Sequence, residues 1–427
     1  MGGRPLNGTV RIPAAKNSVL PLLAASLLCT GAVKLQNVPG LADVHASLEL
    51  LRGAGCEAGW RGRDLLVQGP PSCCRLDAGA AARMRASILF CAPLLARLGR
   101  AETVLPGGCC IGARPVDLHL SGLARMGVDC RAEGARLILT APSGLHGAQI
   151  TLSFPNVGDT ETLLLSAVLA QGNTVLRGAA REPEICDLAA FLNRCGASVQ
   201  GAGSSTIRVE GRRSLSGCSF APMADRIVAS TLACACAAAG GRVELAGCAP
   251  ETYRPLLEIL EQMGCMVSCE PGGAVISRFG ALHGVGKVFT GVYPALATDA
   301  APLLAAAMLA ADSESSIEDV VFERRFGCAE GFAAFGARVE TEGRTLRICP
   351  CGSLCGAEAA APDLRGGAAL VIAALAARGK SKVTNTALID RGYAGLERMI
   401  AELGGQIRRE TRPEEGAEKK RPAKKQI

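Results

Sequence analysis

LAAFLNRCGASVQGAGSSTIRVEG, residues 188–211, decides the architecture of the chain. An amphipathic helix pattern stops at Gly196, and alternating strand patterns follow it. Glycine suits the left-handed position after a helix, where a Cβ would be strained. The alternation ASVQG…STIRVEG predicts an antiparallel hairpin, as does ARVETEGRTLRI after Gly336. The same helix-then-glycine pattern occurs as LELLRGAG at Gly55, LSGLARMG at Gly127, LLEILEQMG at Gly264, GFAAFG at Gly336 and LERMIAELG at Gly404. Six occurrences 68 to 72 residues apart predict six helix-and-sheet units, an α/β (α+β) fold with three units in each of two domains.

A second pattern keeps the same period. SVLPLLAASLL, ASILFCAPLLARL, TETLLLSAVLA, RIVASTLACACAAA, APLLAAAMLAA and GGAALVIAALAA are apolar nearly all round, so these helices are expected to be buried. Each starts beside polar residues: Lys16-Asn17, Arg85, Asn156-Val157-Gly158, Asp225-Arg226, Thr298-Asp299 and Asp363-Leu364-Arg365. N-capping accounts for Asp299 and Asp363. It does not account for Lys16, Arg85, Arg226 and Arg365, because a cation at a helix N-terminus opposes the dipole by roughly 0.3–1 kcal/mol. Four such placements point to an anion-binding cleft at the helix starts.

Composition narrows the function. The chain has 427 residues, enough for two cores, and is 49% apolar with only 3% aromatic and 52 glycines, so small side chains fill much of its interior. The net charge is +7, of which the segment from Arg408 to Ile427 supplies +4, with eight Lys or Arg against four Glu. That leaves no broad basic field for nucleic acid, and residues 408–427 read as a disordered charged tail. Among 20 cysteines there is no C-x-x-C and no set with histidine at zinc spacing, so no metal site is expected. Cys29, Cys91, Cys234 and Cys236 lie in apolar runs, as small hydrophobes do. MGGRPLNGTVRI lacks a signal-peptide core and no run has the ~18 residues of a membrane span. A cytoplasmic protein with reduced thiols is expected.

LPGGCCIGARPVDLHLSG, residues 105–122, is a glycine- and proline-rich loop carrying Cys109, Cys110 and Arg114, a composition suited to a lid. It resembles the active-site loop of the enolpyruvyl transferases that act on UDP-N-acetylglucosamine. AAKNSVLP, NVPGLADV, MRASI, NVGDTE, AREPEI-x-D, DRI, ATD, VFE-x-RF, DLR and IDRGY extend the resemblance, in family order, over residues 4 to about 407. The resemblance implies a two-domain inside-out α/β barrel. One domain would be residues 1–15 plus 224–407, with Asp299, Arg365 and Arg391; the other would be 16–223, with the Cys109 loop. It implies addition of the sugar 3′-hydroxyl to phosphoenolpyruvate and elimination of phosphate, in peptidoglycan precursor synthesis, without a cofactor. UDP-N-acetylglucosamine and phosphoenolpyruvate would be the small-molecule partners, with no nucleic acid and no membrane span.

The resemblance also implies roles. Cys109 matches the general acid and Asp299 the base. Lys16, Arg114 and Arg391 match cations around phosphoenolpyruvate, and Arg365 another cleft arginine. Asn17 and Arg85 match residues near the substrates. Arg114, Pro115, Val116, Asp117 and Leu118, with Asn156, Val157 and Gly158, match the uridine and diphosphate contacts, and Val321 a backbone contact to the sugar. The competing reading pairs Arg365 with Asp363 and Arg391 with Asp390, and lets Asp117 and His119 cap and pack their helix. Asp225-Arg226 reads as structural or domain-linking. The chain departs from the family pattern at Val228, Phe154, Cys110, TDAAPLL and DLRGGAA, and it begins short of a family strand, which predicts a frayed edge. A 5-enolpyruvylshikimate 3-phosphate synthase lacks the cysteine loop and the ARPVDLH run. A non-catalytic UDP-sugar-binding paralogue would have no need of the full set Lys16, Cys109, Arg114, Asp299 and Arg391.

Overall fold

The computed structural model describes residues 1–104 and 116–410; Cys109, Cys110, Arg114, Pro115 and the tail from 411 lie outside the described residues. All six repeat glycines have positive φ, from +82° to +101°. Each follows a short amphipathic helix: Ala42–Gly53, Asp117–Arg125, Pro183–Arg194, Arg254–Gln262, Ala329–Ala334 and Leu396–Glu402. The two expected hairpins form, Ser198–Gln200 with Thr206–Glu210 and Arg338–Glu342 with Thr345–Cys349.

The described residues make six sheets, and the four with four strands share one order. An outer strand pairs in parallel with a second, which pairs antiparallel with the far arm of a hairpin. Leu6–Arg11 runs parallel to Gly241–Ala246, which pairs with Gly273–Arg278 and through it with Met266–Glu270. Ser219–Phe220 beside Val33–Leu35, Gln149–Thr151 beside Asn173–Arg177, and Gly286–Phe289 beside Ser315–Glu318 repeat the arrangement.

The all-apolar runs become the buried helices Lys16–Ser26, Cys91–Leu98, Val157–Ala167, Arg226–Ala239, Ala301–Met308 and Leu364–Ala376. Two of them begin later than their apolar runs. Arg85–Phe90 and Thr298–Ala300 are 3₁₀ turns. Pro93 and Pro302 have no N–H to give to a carbonyl four residues back, so the α-helix is established only around them. Pro21 inside Lys16–Ser26 likewise cannot donate to the Asn17 carbonyl.

Two hydrophobic cores result. One gathers buried residues from Val19 to Leu215; the other gathers Leu6, Val10 and Ile12 with residues from Ile227 to Leu403. The three early buried helices pack in the first core and the three late ones against each other in the second. Side chains such as Leu164 and Leu304 have no exposure at all, and truncating one to alanine would cost roughly 2–5 kcal/mol. Cys29, Cys91, Cys234 and Cys236 are buried among them. Arg409, placed in the tail by its charge, pairs instead with Asp390 at 2.7 Å and with Glu397.

Candidate active site

Lys16 opens its helix almost fully buried, and its Nζ lies 2.8 Å from Asp43 Oδ2. Burial lowers the ammonium pKa; Asp43 opposes that, while Arg365 and Arg391 add to it. Asp43 also receives Arg391, Nε to Oδ1 at 3.0 Å and Nη2 to Oδ2 at 3.3 Å. Burial would raise the Asp43 carboxyl, but its two cations outweigh it and the pKa falls. Asp43 belongs to the first core and Arg391 to the second, so this carboxylate ties the two together. Arg391 therefore pairs with Asp43 and not Asp390, which holds Arg409.

Asp299 sits inside the turn Thr298–Ala300, and the N-caps there are Ala297 and Ala300, so it does not hold the capping position the capping reading gave it. Its two oxygens each receive an arginine. Arg325 Nη2 reaches Oδ1 at 2.5 Å, and Arg365 reaches Oδ2 with Nε at 3.1 Å and Nη2 at 3.0 Å. Asp299 remains 27% exposed, whereas both guanidiniums are buried. Asp363 caps its helix through the Arg365 and Gly366 N–H groups, and Arg365 takes Asp299 as its partner. Arg365 also stacks over Tyr393 at 5.4 Å. Burial opposes its charge, but Tyr393, Asp299 and Asp225 hold the guanidinium protonated. Fully buried Asp319 accepts from Thr298 Oγ1 and from the N–H groups of Val321 and Phe322. A backbone contact from Val321 to a ligand is thus left to its carbonyl.

Arg85, Val116–Leu118 and Asn156–Gly158 come together around His119. The Asn156 side chain caps Val157–Ala167 by accepting from Asp159 N–H at 3.2 Å. His119 is buried, with Nδ1 2.7 Å from Thr162 Oγ1. Burial, aided by the Arg85 charge, depresses its pKa to about 4, so the imidazole is neutral. Asp159 Oδ1 is 3.1 Å from His119 Nε2 but accepts no well-directed hydrogen bond. Burial raises the Asp159 carboxyl to about 6 against the pull of Arg85. His119 thus packs, while Asp117 is exposed and Val116, not Asp117, stands at the N-cap. Asn17 stands half-buried beside Lys16.

Contacts and charge interactions together link all six buried-helix starts. Arg85 acts on Asp159, and Glu161 on the same helix faces Glu184. Glu184 Oε1 accepts from Arg226 Nε at 2.9 Å. Asp225 caps the Arg226 helix through Ile227 and Val228, and its Oδ2 accepts the Lys16 N–H at 3.1 Å. Lys16 feels Arg365, and Arg365 holds Asp299. The cations at the helix starts are therefore not left for an outside anion alone: Lys16, Arg226 and Arg365 each have a carboxylate of the chain. Arg226–Glu184 joins the two cores, as the structural reading of Asp225-Arg226 expects.

Sequence reasoning missed Asp43, Arg325 and Glu184. Asp43 and Arg391 are 348 residues apart, beyond any spacing rule. The usable signal was position: Asp43 lies in NVPGLADV, Arg325 in VFE-x-RF and Glu184 in AREPEI-x-D, each a charged residue inside a segment already singled out.

Residues 1–400 match the family model described as EPSP synthase (3-phosphoshikimate 1-carboxyvinyltransferase). A UDP-N-acetylglucosamine 1-carboxyvinyltransferase of Solidesulfovibrio magneticus is 41% identical over 412 residues, covering 96% of this chain and 98% of its own. One of Acidiphilium cryptum is 42% identical over 409 residues with the same coverage. Among solved structures, the enolpyruvyl transferase NikO from Streptomyces tendae superposes with a TM-score of 0.86 at 27% identity, over 96% of this chain and 98% of that one. An EPSP synthase of Acinetobacter baumannii, at 18% identity and a TM-score of 0.74, shares the fold.

Proposed function

The chain belongs to the EPSP synthase family, on its UDP-N-acetylglucosamine 1-carboxyvinyltransferase branch, and we propose that it transfers the enolpyruvyl group of phosphoenolpyruvate to the 3′-hydroxyl of UDP-N-acetylglucosamine, releasing phosphate. The observation that carries this reading is the convergence of the buried helix starts on Lys16, Arg391, Arg365 and Asp299. Four cations on two carboxylates, Lys16 and Arg391 on Asp43 and Arg325 and Arg365 on Asp299, suit an anionic substrate and a hydroxyl nucleophile.

In this mechanism Lys16, Arg114 and Arg391 hold the phosphate and carboxylate of phosphoenolpyruvate, with Asn17, Arg85 and Arg365 nearby. Residues 114–118 and 156–158 hold the uridine diphosphate, and Val321 the sugar. Asp299 takes the proton of the 3′-hydroxyl as its oxygen bonds to the middle carbon. Cys109 protonates the methylene. The tetrahedral adduct then loses a methyl proton and expels phosphate. Asp43 pairs with both Lys16 and Arg391, so an anion bound by these cations has to share them with it.

Residues 1–15 with 224–407, and residues 16–223, would be the two domains of an inside-out α/β barrel, three units each, closing over the substrates. The place of action would be the cytoplasm, in peptidoglycan precursor synthesis. Incubation with UDP-N-acetylglucosamine and phosphoenolpyruvate, assayed for phosphate, tests the reading. Release with shikimate 3-phosphate in place of the UDP-sugar would assign the chain to EPSP synthesis, and binding without release would make it a non-catalytic UDP-sugar binder.

A further inference from the structure

Away from the cleft, three thiols meet at the end of the Pro183–Arg194 helix. Cys195 Sγ lies 3.4 Å from Cys218 Sγ, at van der Waals contact, and the Cys29 thiol also interacts with Cys195. Cys195 and Cys29 are buried, whereas Cys218 is partly exposed. The backbone fixes the pair. Cys195 O accepts from both Ser216 N–H at 2.8 Å and Ser216 Oγ at 3.0 Å, and Lys34 N–H donates to Cys218 O at 2.8 Å. Cys29 is less free to compete, because it ends its own helix turn and its thiol faces the Ala25 carbonyl.

We propose that Cys195 and Cys218 form a dithiol that a two-electron oxidant closes to a disulfide. With a peroxide, the Cys218 sulfur attacks an oxygen, the O–O bond breaks, and the sulfenic acid and one water form. Cys195 Sγ then displaces the sulfenic oxygen as a second water, and two thiols and one hydrogen peroxide have become one disulfide and two waters. Exposure makes Cys218 the first to react. Burial and the neighbouring thiol raise it to about 12, so closure is slow at neutral pH and quickens as pH rises. The bond would anchor residues 216–225, where the chain leaves the first core for the second, to the end of a first-core helix. Such cross-links are transient in a reducing compartment and return to thiols there.

The test treats the full-length protein with hydrogen peroxide or diamide, blocks remaining thiols at acid pH, digests without reductant and maps linked peptides. A Cys195–Cys218 link is expected ahead of any other among the buried cysteines, with the melting temperature raised by several degrees and restored by dithiothreitol. The link should persist in Cys29→Ser. A Cys29–Cys195 link, or oxidation of Cys218 to sulfinic acid with no link to Cys195, would overturn the proposal. Neither outcome depends on enolpyruvyl transfer.

Discussion

At the scale of single residues, the site is governed by carboxylates that hold its cations. Asp43 counters the burial that lowers the Lys16 ammonium. In Asp43→Asn that support is lost, the Lys16 pKa falls further, and the amine deprotonates at a lower pH. Activity that needs the ammonium should then drop at a lower pH than in the parent, so the alkaline limb of kcat/KM for phosphoenolpyruvate moves to the acid side. An unmoved limb would leave Asp43 as a tie between the cores only. Removing one member of a buried ion pair also costs about 3–5 kcal/mol, so a urea melt should record a large loss. Asp299 makes a different demand. Its amide keeps the size of the acid but cannot take a proton, so Asp299→Asn should bind UDP-N-acetylglucosamine normally by calorimetry and lose turnover by ~10²-fold or more. Near-normal turnover would return Asp299 to the structural role of holding Arg325 and Arg365.

At the scale of elements, the repeat was legible because its signals are local. A glycine after an amphipathic helix needs only its own φ, and all six showed it. Gly196 has φ +98°, and no neighbouring atom lies within 4 Å of where a Cβ would stand. Gly196→Ala therefore isolates the backbone cost, roughly 1–2 kcal/mol, readable as a lower urea midpoint. The starts of the buried helices were legible as places but not as pairings. Proline shifted two of them into 3₁₀ turns, and the partners of Lys16, Arg365 and Arg391 came from other elements. Glu161, in the first turns of Val157–Ala167, shows what sequence could not supply. Burial first, then Glu184 and Glu182, pushes its pKa well above the ordinary value. A carboxyl raised on folding stabilises the folded state least where the unfolded chain ionises it, so stability falls as pH rises past the unfolded pKa. Glu161→Gln should therefore melt higher than the parent at pH 8, and the gap should shrink toward pH 4. A gap independent of pH would mean that Glu161 keeps no raised pKa.

At the scale of the whole molecule, two cores meet through charge. Among the described residues, Lys16–Asp43–Arg391 and Glu184–Arg226 are ionic links between them, beside the Lys16 N–H to Asp225 hydrogen bond, and they lie at the helix starts where substrate would bind. The proposed UDP-sugar contacts at Val116–Leu118 and Asn156–Gly158 belong to the first core, while Asp299, Arg365 and Val321 accompany the second. A ligand that touches both favours the arrangement in which the cores approach, by as much as its affinity differs between the two arrangements. Cys109 reports on this. Cys109 lies seven residues ahead of Val116 in the sequence, and in the proposed role of general acid its thiol would have to come against the bound phosphoenolpyruvate. Fosfomycin, an epoxide resembling that substrate, should alkylate Cys109, and faster with UDP-N-acetylglucosamine present, whereas Cys110 should stay unmodified. Peptide mass spectrometry over a time course measures both rates. Equal rates with and without the sugar nucleotide would remove closure from the mechanism, and labelling at Cys110 alone would move the acid role off Cys109.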